Sequence, residues 1–295
     1  MFWSPDFPQI ADGTLRELSR AIDRGYLNFS RAYGGMIEAF FEPLLHFLIW
    51  FERLLLGSPW WLIIGLVGLA GYGASRSLKL ALGIIASLCL IGLFGMWDNT
   101  LRTMAMILVC TLLSIVIGIP IGIFMSRSNR GQKVILPVLD VMQTMPSFVY
   151  LIPVVMLLGI GRIPGLLAVV IYAIPPVIRL TNLGIRLVDK ETLEAADAFG
   201  ASRFQKLMKV QLPLALPNIM AGINQTIMMA LAMVVIASMI GVRGLGQPVL
   251  QAVTNQYFAL GLFNGTAVVI LAIIFDRITQ RFGLRLQRHR EAARA

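Results

Sequence analysis

Long apolar stretches alternate with short polar ones along this 295-residue chain. The apolar segments lie at approximately 59–75, 78–97, 101–126, 133–159, 164–187, 217–241 and 262–284. Several approach or exceed the ~20 residues that an α-helix needs to cross a hydrocarbon core. The short alternating segments of a transmembrane β-barrel do not appear. The pattern predicts an all-α polytopic membrane protein of about seven spans.

The first residues differ. Residues 1–35 are mixed, with Arg16, Arg20, Arg24 and Arg31 set against Asp6, Asp12, Glu17 and Asp23. The spacing of the first three arginines predicts a short helix with a solvated charged stripe. Between 36 and 56, Phe40, Phe41, Leu44, Leu45, Leu48, Phe51 and Leu55 form one helical face, and Glu38, Glu42, His46 and Arg53 mark another. A lipid-facing span would bury those carboxylates at high cost, whereas an amphipathic helix lying in the interface avoids it. Residues 36–56 are therefore read as an in-plane helix, with an additional span as the other reading. This divides the chain into an N-terminal segment, 1–56, and a transmembrane domain, 57–295. The first thirty residues lack the continuous apolar core of a cleavable signal peptide.

Composition agrees with the pattern. The chain is 57% hydrophobic and 14% charged, with mean hydropathy +0.79, against roughly 25% charged residues in soluble domains. A net charge of +10 raises nucleic-acid binding, but the basic residues sit in short loops and the tail, as cytoplasmic flanks of membrane helices do. No nucleic-acid partner is expected. Alternating spans put Arg76 and Lys79, then Arg127, Arg130 and Lys133, then Arg186, Lys190, Arg203, Lys206 and Lys209, then Arg277, Arg281, Arg285, Arg288, Arg290 and Arg294 on one side. Only Arg102, Arg162 and Arg243 fall on the other. The first side is expected to be cytoplasmic, with the 188–216 loop and the C-terminus, in a bacterial inner membrane.

Catalytic signatures are missing. There is no Walker A, HExxH or clustered Cys/His pattern. His46 and His289 are too few for a metal site, and Cys89 and Cys110 read as small packing residues. No catalytic residue, metal or cofactor is expected in this chain. The apolar segments are nonetheless broken. Pro120 interrupts the third, Pro137, Pro146 and Pro153 the fourth, and Pro175 and Pro176 the fifth. Proline frees a backbone carbonyl, which a membrane tolerates beside neighbouring helices or a wet cavity. Pro146, Phe148, Tyr150, Pro153, Tyr172, Pro175 and Pro176 are candidate pathway or gate residues; ordinary core packing is the plainer alternative. Two embedded charges, Asp140 and Arg179, are costly alone and are expected to pair with each other or with loop charges, locking an inward gate. Asp276 reads as interfacial.

The most polar internal stretch is EAADAFGASRFQKLMKVQLP, 194–213. A helix over Glu191–Phe199 with Asp189 or Thr192 as its cap, a turn at Gly200, and a second helix from a Ser202 cap to Leu212, ended by Pro213, are expected. Ala195, Ala196, Ala198, Phe199, Phe204 and Leu207 would be exposed apolar residues suited to a socket on another protein. Glu194, Ala195, Ala196, Gly200, Val210, Leu212 and Pro213 together resemble the EAA coupling loop of permease subunits of ABC importers, with Val210 where the family usually has Ile. The resemblance implies a type I ABC importer transmembrane fold and a separate ATPase subunit that binds ATP and docks on this loop.

Four further stretches, 143–161, 171–186, 211–241 and 270–280, narrow the resemblance to glycine betaine/choline/proline importer permeases. That family implies a homodimeric permease, two ATPase subunits and a periplasmic or lipid-anchored substrate-binding protein. For a quaternary ammonium substrate, aromatic faces such as Phe148, Tyr150 and Tyr172 would line a weak cation path, selectivity residing in the binding protein. The glycine-rich segment 241–258 reads as an external loop and candidate dock for that protein. An importer permease for an amino acid or phosphonate, and an ion-driven secondary carrier, stand as alternatives.

Overall fold

The computed structural model describes residues 10–292, with side chains through residue 285. Asp6, Arg288, His289, Arg290 and Arg294 lie outside the described side chains. Among the described residues the chain is helical, with no strand. Its helices are α1 (Asp12–Gly57), α2 (Trp60–Ser75), α3 (Leu78–Leu93), α4 (Trp97–Arg127), α5 (Asn129–Thr144), α6 (Leu151–Leu158), α7 (Arg162–Ala173), α8 (Pro175–Arg186), α9 (Lys190–Ala198), α10 (Arg203–Lys206), α11 (Leu212–Ala237), α12 (Gly246–Asn255) and α13 (Phe258–Ala292).

Every apolar segment marked in the sequence is helical, but not every one is a straight span. Four helical stretches are long and apolar enough to cross a membrane alone: Trp97–Arg127, Arg162–Arg186, Arg203–Ile240 and Phe258–Arg285. The number rises to six if two bent pairs count as one span each. α1 and α2 meet at 108°, and α5 meets the next helical segment at 112° across Pro146. α3 has 16 residues, about 24 Å of helix, short of a ~30 Å hydrocarbon core.

The N-terminal segment departs from expectation. In place of a short helix and a separate in-plane one, residues 12–57 form one 46-residue helix, in which Pro43 causes no break. Its second half is not free of the bundle. Leu48 is buried, and Leu44, Phe51 and Leu55 pack on the core, while Glu38, Glu42, His46 and Arg53 stay exposed. α1 lies against α4, α6 and α7. Tyr26 donates to the Pro153 carbonyl, and Ser30 reaches the Met156 and Leu157 carbonyls at 3.3 and 3.2 Å. The Met156 and Leu157 carbonyls lie in the last turn of α6 and have no helical donor, so the Ser30 hydroxyl fills a need that lipid cannot.

Glu52 of α1 is shared by two guanidiniums, Arg162 at 3.1 Å and Arg102 at 3.9 Å, and is 13% exposed. Two of the three basic residues assigned to the outer side are thus held by one carboxylate. Glu52→Ala leaves both arginines without that partner. It is expected to destabilise the fold by about 2 kcal/mol, seen as a lower thermal midpoint in detergent.

The centre of the bundle is α11, which packs against α4, α7, α8, α12 and α13. Small residues set its distance from α8, and α8's distance from α4. A side-chain carbon on Gly122 of α4 would sit 2.8 Å from the Ile178 carbonyl; one on Gly184 of α8 would meet the Ala215 carbonyl at 3.1 Å; one on Gly222 of α11 would meet the Pro176 carbonyl at 3.2 Å. Close backbone approach of this kind substitutes for the hydrophobic drive that lipid removes. On the far side of α11, Asn224 donates to Asp276 of α13 at 2.9 Å and accepts from Thr279. Asp276 is therefore part of an interhelical network rather than simply interfacial. The 241–258 connection is not a plain loop either. It contains α12, laid against α13, and its Leu245 amide donates to Thr103 Oγ1 at 2.9 Å.

Candidate functional site

The stretch joining α8 to α11 is built from local signals in sequence order. The Asp189 carboxylate accepts from the Glu191 amide and caps α9. α9 closes with paired end bonds: Ala201 N–H donates to Ala196 O at 3.0 Å and Gly200 N–H to Asp197 O at 2.9 Å. This arrangement needs a left-handed residue after the last turn, and Gly200 supplies it at φ +74°. Ser202 then opens α10 through a reciprocal cap. Gln205 N–H donates to Ser202 Oγ at 3.2 Å, and Ser202 N–H donates to Gln205 Oε1 at 2.8 Å. The Lys206 ammonium pairs with the Asp197 carboxylate, bridging α9 and α10.

Two expectations fail at the second helix. Pro213 does not end it. Residues 207–211 form a π turn, in which Leu212 N–H donates to Leu207 O, and the helix runs on from Arg203 to Ile240. The wider turn makes room for a proline ring that would clash in a regular one. Leu207 is not exposed either. It is buried with Ile185, Ala215 and Ile219, fastening the loop to the bundle. Phe199 (92% exposed) and Phe204 (68%) do project outward, joined by Met208, which the sequence pattern gave no reason to single out. Glu194 and Ala195 are exposed; Ala196, Val210, Leu212 and Pro213 are half-buried toward the bundle. The motif thus divides into an outward set and a fastening set.

Two arginines hold the base of the loop. Arg186 donates to Met125 O at 2.8 Å, Asn129 Oδ1 at 2.9 Å and Asn182 Oδ1 at 3.1 Å. Arg127 donates to Arg203 O at 3.2 Å. The sequence marks both only as charges on the side expected to be cytoplasmic.

The candidate gate residues fall into three places. Pro146 precedes the 3₁₀ turn Ser147–Tyr150 at the sharp bend between α5 and α6. Tyr150 and Tyr172 come together edge to face at 5.6 Å, and the buried Tyr150 donates to Met142 O. Phe148 stands apart, 51% exposed. Pro153 lies in α6, under Tyr26 of α1. Pro175 and Pro176 are buried where α7 runs into α8, and their missing amides leave the Ile171 and Tyr172 carbonyls without the donor a regular turn would supply. Arg179 of α8 is hydrogen-bonded to Asp140 of α5, while its buried Nε has no partner. Among the described residues no group of His, Cys, Asp and Glu is arranged to hold a metal ion.

Residues 114–288 match the family profile described as "Binding-protein-dependent transport system inner membrane component". The chain is 49% identical over 241 residues, 82% of its length, to the glycine betaine/proline betaine transport system permease protein ProW of Escherichia coli, and the match spans 68% of that protein. It is 46% identical over 262 residues to the glycine betaine/carnitine transport permease protein GbuB of Listeria monocytogenes, covering 88% of this chain and 89% of that one. Among solved structures, an inward-facing MetNI methionine ABC transporter matches with TM-score 0.57 at 21% identity, covering 63% of this chain and 93% of that chain. At that identity the likeness concerns the fold.

Proposed function

The chain belongs to the family of binding-protein-dependent transport system inner membrane components, and from that premise we propose that it moves glycine betaine and related quaternary ammonium osmoprotectants inward. It is a multi-pass permease subunit of an ABC importer and works with an ATPase and a substrate-binding protein. The observation that carries the substrate class is sequence identity near 50% to betaine permeases across most of the chain. This favours betaines over the amino acid and phosphonate alternatives, and membership in an ATP-driven family argues against a secondary carrier.

In this reading the permease is a homodimer and binds no ATP itself. The residues at 188–216 face the cytoplasm, as does the C-terminus. Phe199, Phe204 and Met208 enter the partner ATPase, while Leu207, Leu212 and Pro213 pass its movement to α8 and α11. The amphipathic part of α1 meets lipid at the membrane interface. Tyr150 and Tyr172 line a weak cation path. The test is uptake of labelled glycine betaine into proteoliposomes holding the permease, its ATPase and its binding protein. ATP-dependent uptake is expected. Uptake driven by a sodium or proton gradient without ATP would overturn the reading.

The Asp140–Arg179 pair is proposed as an inward-gate lock. Reversing either charge alone places like charges together. Each single variant is expected to lose about tenfold in transport, and the exchanged pair Asp140→Arg with Arg179→Asp to recover most of it. Uptake measured for all three decides the matter, and no recovery in the exchanged pair would sink the lock.

A further inference from the structure

α5 packs an apolar face on the bundle, Ile135, Leu136 and Met142 around Leu139 against Met125, Ile174, Val177 and Ile178. Leu139 is its one buried side chain. Besides the Tyr150 bond to the Met142 carbonyl, two polar attachments join it to α8. Arg186 reaches Asn129 at the start of α5, and Arg179 reaches Asp140 three turns further on. The two differ in strength. Arg186 makes three bonds, one to Asn182 within α8 and two that tie the end of α8 to the last turn of α4 and the first of α5. The Met125 carbonyl it caps is one of those that a helix end leaves without a donor. Arg179 makes one such bond and keeps an unpartnered Nε.

The 125–129 turn is also joined to the 188–216 stretch, through Arg127 to Arg203 O. α4, α8 and α11 meet backbone to side chain and backbone to backbone at Gly122, Gly184 and Gly222, and close-packed interfaces of this kind transmit displacement rather than absorb it. Beside them α5, with Leu139 as its one fully buried side chain, leads into the 112° bend.

We propose that Arg186 is a positioning residue for coupled transport: it fixes the pivot about which α5 swings when the 188–216 stretch is displaced, the Asp140 end being the one that releases. This rests on the coupling role proposed for that stretch. A pivot must hold while a latch opens, and the three-bond arginine beside the loop, not the one-bond arginine further along, meets that requirement.

The experiment uses the full permease with its ATPase and binding protein in proteoliposomes. Arg186→Gln is expected to lower the ratio of glycine betaine imported to ATP hydrolysed about tenfold. Arg186→Lys, which keeps the charge but not the planar fork, is expected to recover part of it. Asn129→Ala removes only the α5 contact and is expected to move the ratio in the same direction, which keeps the test available if Arg186→Gln fails to fold. A cysteine at the exposed Val134 of α5 is expected to change its labelling rate with ATP in the wild type and not in Arg186→Gln. A wild-type ratio, with ATP-dependent labelling retained, in both Arg186→Gln and Asn129→Ala overturns the pivot while leaving the importer reading intact. A wild-type assembly that imports no betaine with ATP overturns the importer reading itself.

Discussion

Valine at position 200 is expected to leave the permease folded while cutting import about tenfold or more and leaving much of the ATP hydrolysis futile. A side-chain carbon at Gly200 would meet no atom within 4 Å, so the obstacle is not packing. It is the backbone. At φ +74° a β-branched residue is strained by about 1–3 kcal/mol, and the paired end bonds of α9 depend on that conformation. The chain relieves the strain by reopening the turn, which changes the angle between α9 and α10 and stretches the Lys206–Asp197 bridge. Gly200→Asn provides the graded control, because asparagine tolerates the left-handed region; its import should stay near wild type. Import and ATP hydrolysis measured together, with the thermal midpoint, check the series. Full coupling in the valine variant would remove the geometric basis for treating this turn as the lever.

A second large effect is expected at Gly122, of the opposite kind. Gly122→Val should weaken the fold rather than the coupling. Its side chain would be driven into the Ile178 carbonyl at 2.8 Å and the Thr181 side chain at 2.6 Å. A carbonyl on a helix backbone cannot turn aside as a flexible side-chain end does, so α4 must move off α8. Overpacking of this type costs about 3 kcal/mol, which lowers the thermal midpoint by roughly 5 °C for a chain of this size. Gly83→Ala of α3, where the added carbon meets nothing within 4 Å, should stabilise by a few tenths to about 1 kcal/mol instead. Monodisperse yield and melting in detergent separate the two. Equal behaviour of Gly122→Val and wild type would mean that α4 and α8 are not held at this distance.

The helical class, the broken fourth segment and the architecture of the 188–216 stretch were legible because they rest on local signals: apolar runs, a proline, an aspartate before a helix, a glycine after one. What escaped was set by partners distant in sequence. Glu52 is fifty residues from Arg102 and more than a hundred from Arg162, and nothing near any of them announces the cluster. Leu207 looked like part of an exposed set because its neighbours are polar; its burial depends on Ile185 of α8 and on Ala215 and Ile219, two and three turns further along its own helix. Pro213 was read by the rule for regular helices, and the π turn before it lifts that rule. Pro43 breaks nothing in α1 for a reason the sequence does not carry. Arg127 and Arg186 were counted as charges on one side of a membrane, a tally that ignores what a guanidinium donates to.

The wide turn at 207–211 also bears on how one helix serves two surroundings. An extra residue taken up without a bend offsets everything upstream by roughly 100° from where an unbroken spiral would carry it. Phe204 and Met208 can then be aimed at one neighbour while the faces of α11 keep the azimuth that α4, α8 and α13 require. The rod stays straight enough to transmit thrust along its length, yet its two ends are clocked independently, like a shaft with an offset key.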